Sequence, residues 1–115
     1  MVRVAARVGY RAVGLRLIAV TDASPGYPIM DDAVMMRETK AALADTGLRL
    51  SDIEFVKITP EIIVAELESF VAAGASLGAH HVITAPYDHD HSRLSDSLAG
   101  IANLAERYGL SLIHI

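Results

Sequence analysis

One junction, repeated four times, constrains this chain more than any other feature. AARVGYRAVGL (5–15), ALADTGLRLSD (42–52), ASLGAHHVI (75–83) and LAERYGLSLI (104–113) each pass from a helix-like stretch through a glycine into a short β-type run. The glycines are Gly9, Gly47, Gly78 and Gly109, spaced 38, 31 and 31 residues apart. The residue that follows the last turn of a helix often turns left-handed, a conformation glycine reaches without a Cβ clash. A strand then begins within one or two residues. Each interval has room for one strand, one crossover helix and its loops. Such crossovers are right-handed and make successive strands parallel.

The helices between the glycines carry matching start signals. Asp31 and Asp32 precede a stretch in which Val34, Met35, Glu38, Ala42 and Leu43 recur at helical spacing. Thr59-Pro60-Glu61 supplies a capping hydroxyl, a proline at the first helical position and an acid at the positive end of the dipole. Ile63, Leu67, Phe70 and Val71 would form that helix's apolar stripe. Asp90 or Ser92 is placed to cap the last helix, whose Leu94, Leu98, Ile101, Leu104 and Ala105 share a side. The expected strands are Ala12–Leu17, Leu48–Ile58, His81–Ala85 and Leu110–Ile113. Most are nearly all apolar, as parallel strands under helices should be. The expected fold is α/β, in the order α-β-α-β-α-β-α-β, within a single domain spanning 1–115. The repeat by itself fits either part of a (β/α)8 barrel or a small flavodoxin-like domain.

Composition removes several functions. The formal net charge is -4 and the Lys and Arg residues are scattered singly, so no footprint for nucleic acid or an anionic membrane is expected. There are no cysteines, which removes disulfides, thiolate metal sites and a Cys nucleophile and suits a cytoplasmic location. Charges interrupt every hydrophobic stretch before it reaches membrane-spanning length. MVRVAARVGY (1–10) lacks the apolar core and cleavage site of a signal peptide. Phosphate-cradling and nucleophile-elbow motifs are missing, and Gly14 and Gly26 do not make a phosphate loop.

Parallel α/β folds bind ligands at the carboxyl ends of their strands. Those places hold Arg16 with the loop 19–32, then Lys57 and Thr59, then APYDHDHSR (85–93) with Tyr87. Asp52 and Glu54 are two residues apart in LRLSDIEFVKI (48–58), hence on one face of a strand. Acids placed so bind substrate hydroxyls or move protons, or else form an ion pair with Arg16 or Lys57. Asp88-His89-Asp90-His91 has the composition of a metal cluster, but neighbours on an extended loop point apart. A solvated loop with Asp90 capping the next helix accounts for it better. His80 and His81 fall at a strand start, the end of a barrel concerned with stability. His114 could face a lumen. Met35 and Met36 read as helix packing.

Three stretches together resemble the sugar phosphate isomerase/epimerase superfamily, the xylose-isomerase-like TIM barrels. They are VAARVGYRAVGLRL (4–17) followed by YPIMDD (27–32), LADTGLRLSDIEFVKI (43–58) and FVAAGASLGAHHVITA (70–85). Members often show a helix ending in AGY before a strand of the form VGLR, a TG[VL] junction before a strand with D-x-E, and an LGA-x-x-V junction. The likeness runs from about Val4 to Leu112. It implies a partial (β/α)8 barrel whose four strands correspond to barrel strands 2–5, less than half of the whole. It also implies a family chemistry in which a divalent metal (Mn, Mg, Co or Zn) polarises a ketose-like sugar or sugar phosphate while acids shift a proton between adjacent carbons. The family's first metal ligand is a Glu ending a strand of the form GLRLALE. Here the stretch reads GLSLIHI (109–115), with Ile115 at that place. No metal ligand is therefore carried over. Arg16, Glu54, Asp52 and Tyr87 remain as substrate-binding candidates, and the isolated chain is expected to be inactive. The second possibility is a non-catalytic half-barrel that self-associates through its open edges.

Overall fold

The computed structural model describes residues 1–19 and 28–114. Their elements run α1 (Val2–Arg7), β1 (Ala12–Arg16), α2 (Ala33–Thr46), β2 (Arg49–Ile58), a 3-10 turn (Val64–Leu67), α3 (Glu68–Ser76), β3 (His81–Pro86), α4 (His91–Arg107) and β4 (Ser111–His114). The alternation follows the four glycines. Gly9, Gly47, Gly78 and Gly109 all have positive φ, between 69° and 98°, and each ends a helix just ahead of a strand. At Gly47 the left-handed turn lets its N–H donate to the Leu43 carbonyl, closing α2.

Two helix starts follow the sequence. The Asp32 carboxylate accepts from the Val34 and Met35 amides at 2.9 and 3.1 Å, and the Asp90 carboxylate accepts from the Arg93 amide at 3.0 Å. The third does not. Thr59-Pro60-Glu61-Ile62 forms a turn in which the Ile62 amide donates to the Thr59 carbonyl at 3.2 Å. Proline's fixed φ serves the second position of a turn as well as the first of a helix. The chain coils only from Val64, leaving Ile63 exposed and outside the apolar stripe. Val34 likewise points to solvent, and Met35, Met36, Ala42 and Leu43 bind α2 to the core.

The four strands form one all-parallel sheet in the order β1-β2-β3-β4. Every crossover therefore moves one strand in the same direction. Right-handed connections of that kind lay the helices on one face of the sheet. A flavodoxin-like sheet reverses direction at a switch point. These four strands contain no reversal, so that alternative does not describe them.

The core lies between sheet and helices. Phe70, Val71 and Ile101 from α3 and α4 pack on Ile53, Val82 and Leu50, all 2% exposed or less. Each such side chain contributes about 1.5–3 kcal/mol on leaving water. Burial along β2 falls on Leu50, Ile53, Val56 and Ile58, a pattern that strict alternation would not give. The register shows why. Val13 pairs with Leu50 and Gly14 with Asp52, so Ser51 is an extra residue. Glu54 pairs with Ile83 and Val56 with Thr84, so Phe55 is another. Each bulge resets which residues face the helices.

Candidate functional site

The face turned away from the helices carries the polar residues. Residues paired across strands share a face, so the register assembles two rows there. One is Gly14, Asp52, His81 and Ser111. The next, toward the carboxyl ends, is Arg16, Glu54, Ile83 and Ile113. Lys57, paired with Ala85, comes next. No bulge falls between Asp52 and Glu54, so the two acids do share a face.

Arg16 Nη2 donates to Glu54 Oε2 at 3.1 Å, with the two side chains 51% and 31% exposed. The ion pair expected for one of the acids thus forms at Glu54, but in a wet setting that leaves both groups reachable. Surface pairs of this sort add little stability, at most about 1 kcal/mol.

Asp52 is held differently. Its Oδ2 accepts from the Ser51 hydroxyl at 2.5 Å, a bond made possible by the bulge, while that hydroxyl also lies 3.2 Å from the Val13 carbonyl. Asp52 Oδ1 is buried and has no hydrogen-bond partner among the described residues. It leans over Gly14, where any Cβ would overlap it. His81, its neighbour in the row, has a buried Nδ1 that is equally unpartnered. A buried polar atom without a partner costs about 1–3 kcal/mol. Asp52 and His81 are neighbours in the row, and each leaves one buried polar atom unpaired among the described residues. The sequence pointed at Asp52 but placed His81 among structural positions, since only the register sets it beside that acid.

At the carboxyl edge Lys57 Nζ lies 5.4 Å from the centre of the Tyr87 ring, a cation–π contact. Tyr87 is exposed, and Lys57 has no carboxylate partner among the described residues. The loop that follows is solvated at His89, Asp90 and His91, as the sequence suggested, but not at Asp88. The Asp88 side chain is fully buried and takes Arg93 Nε and Nη2 at 2.6 and 2.7 Å, together with the Asp90 amide at 2.9 Å. Its hydrogen bonds to the Arg93 guanidinium hold the carboxyl below the usual range, although burial pushes the other way. Asp90 caps α4. Both acids of the Asp-His-Asp-His run are thus committed to the fold, while His89 and His91 are exposed. His114 pairs with Thr84, in the row of the helix-facing Val56, so it does not join the polar face. Among the described residues no three His, Asp or Glu side chains converge as a metal would require. Gly26 and Ile115 lie outside the described residues, as does most of the loop after β1. No helix of the described residues is long and apolar enough to cross a membrane.

No family model matches the chain. No curated protein matches it either. Among solved structures it is similar to an uncharacterised protein from Parabacteroides distasonis ATCC 8503, at a TM-score of 0.67 and 15% identity over 96% of this chain. That match covers 43% of the other protein, so this chain spans less than half its length. At so low an identity the likeness concerns the fold alone: α/β, with four parallel strands alternating with helices.

Proposed function

We propose that these strands are a four-stranded arc of a (β/α)8 barrel of the sugar phosphate isomerase/epimerase kind, and that its polar face is the part of the lumen that holds a sugar or sugar phosphate. The observation that carries this reading is the sequential parallel order of the strands. It places Arg16, Asp52 and Glu54 together on the face away from the helices, where the lumen of such a barrel lies. On this reading the half-exposed Arg16 guanidinium donates to a carbonyl or phosphate oxygen, and Glu54 accepts from a hydroxyl. The Tyr87 ring offers an apolar face to the carbon side of a sugar, with Lys57 beside it.

The divalent metal implied by the resemblance does not fit the described residues, which offer no convergent set of three ligands. No chemical step is therefore assigned to this chain. The expected result with the purified chain is no turnover of ketose phosphates when manganese is supplied. Amide resonances of Arg16, Glu54 and Tyr87 should shift on titration with ketose phosphate, and the shifts should weaken in Glu54→Gln. Turnover by the chain alone, or a spectrum that no sugar or sugar phosphate disturbs, would overturn the reading.

A further inference from the structure

We propose that the carboxyl edge of the polar face carries a phosphate-binding site formed by Lys57, Tyr87 and Arg16, so that the ligand of this face is a sugar phosphate held by its phosphate, and not a neutral sugar. This deepens the lumen reading and rests on it.

The register brings the three residues together. Lys57 pairs with Ala85, and Tyr87 follows two residues later, so both belong to the polar face. The Tyr87 amide donates to the Ile58 carbonyl at 2.9 Å, which keeps Tyr87 on the line of the strand one residue past the end of β3. Both positions are interior to the sheet: β2 is flanked by β1 and β3, and β3 by β2 and β4. Arg16 and Glu54 pair one row toward the amino ends. With strands about 4.8 Å apart and a two-residue step of about 6.6 Å, the Arg16 and Lys57 backbones lie roughly 8 Å from each other. Side chains of that length reach a common point between them.

Charge and geometry select the ligand. Lys57 Nζ lies 5.4 Å from the centre of the Tyr87 ring. A ring face attracts the ammonium charge but leaves N–H donors for an oxygen. The acids that flank the site along the chain have other partners. Glu54 takes Arg16, Asp88 and Asp90 take Arg93, and Glu61 also acts on Arg93. Two cations thus face one acid, in a chain whose formal net charge is -4. Such a chain has no general attraction for anions, so binding depends on this local excess. A phosphate monoester is close to doubly charged at neutral pH and spreads its three oxygens in different directions. One oxygen meets the Lys57 ammonium while another meets Arg16, which bonds Glu54 through Nη2 and keeps further donors. A carboxylate has its two oxygens in one plane and matches a single guanidinium.

Backbone amide resonances, followed at one fixed ionic strength, test this with inorganic phosphate, fructose, gluconate and fructose 6-phosphate as probes. Phosphate and the ester are expected to shift Arg16, Lys57 and Tyr87 together, and added salt should weaken both. Fructose and gluconate should each bind about tenfold more weakly than the ester, or worse. Lys57→Gln should reduce the preference for the ester over fructose roughly tenfold with unchanged circular dichroism, whereas Lys57→Arg should keep most of it. Tyr87→Leu, which removes the ring beside the ammonium, should weaken the ester as well. Equal binding of the ester and either fructose or gluconate, an unchanged preference in Lys57→Gln, or phosphate shifts scattered over the surface cations, an adventitious ion only, would each overturn the proposal. Fructose binding that shifts Arg16 and Glu54, with no response to phosphate, would sink the phosphate site and leave the lumen reading. Phosphate bound at Lys57 as tightly as the ester would support the site and sink the sugar reading instead.

Discussion

At Gly74 the helix layer packs closely against the sheet. It lies in α3, is buried, and has no side chain of its own between the helix and Ile53 of β2. A Cβ built at position 74 would overlap Ile53 Cδ1 and stand 3.0 and 3.1 Å from its Cγ2 and Cγ1. Two effects oppose each other in Gly74→Ala. Alanine is the better helix former by about 1 kcal/mol. The added methyl, however, must displace a side chain with no exposed surface, and overpacking of this kind costs about 1–3 kcal/mol. Sterics win, and Gly74→Ala should destabilise the chain by roughly 1–2 kcal/mol. Ile53→Val removes Cδ1, the atom in the way, at its own cost of about 0.5–1.5 kcal/mol. In the Ile53→Val background the alanine should therefore cost little or nothing. Urea unfolding of the four proteins at one fixed concentration measures the coupling, provided the m-values agree. If Gly74→Ala stabilises the original chain, or costs as much in the Ile53→Val background as in the original one, the close approach of α3 to β2 is not what governs this position.

Two further outcomes follow from single residues. Gly47→Ala should cost about 1–2 kcal/mol by chemical denaturation, for backbone reasons alone, because φ there is 69° and nothing lies within 4 Å of the added carbon. Asp88 has its folded pKa lowered, so its contribution to stability is fully present above the ordinary carboxylate value, about 4, and is lost as pH falls through the lower folded value. Unfolding followed between neutral and strongly acid pH should show that loss in the original chain, whereas Arg93→Ala should be less stable at neutral pH and flatter in that window; an equal slope in both would refute the Arg93 assignment.

The order of elements was legible because its causes are local. A glycine at each helix end, an acid at two helix starts and apolar runs of strand length act within a few residues, and the structure follows them at Gly47, Asp32 and Asp90. The Thr59-Pro60 signal failed for an equally local reason: the same dihedral preference begins a turn or a helix, and packing from Val64 onward chose between them. Of the candidate residues, the shared face of Asp52 and Glu54 was readable from their spacing. The sequence narrows the partner of Glu54 only to one of two cations, Arg16 or Lys57, and the structure selects Arg16.

The residues alone thus determined an α/β chain of parallel strands and, to within one residue, where each begins. Strand order, the bulges at Ser51 and Phe55, and the row that sets Asp52 beside His81 were decided by tertiary structure, because each depends on residues some 30 to 40 positions apart meeting across strands. The same holds for Asp88. Its sequence context reads as an exposed polar loop, and only the fold encloses its carboxylate and brings Arg93 back to meet it.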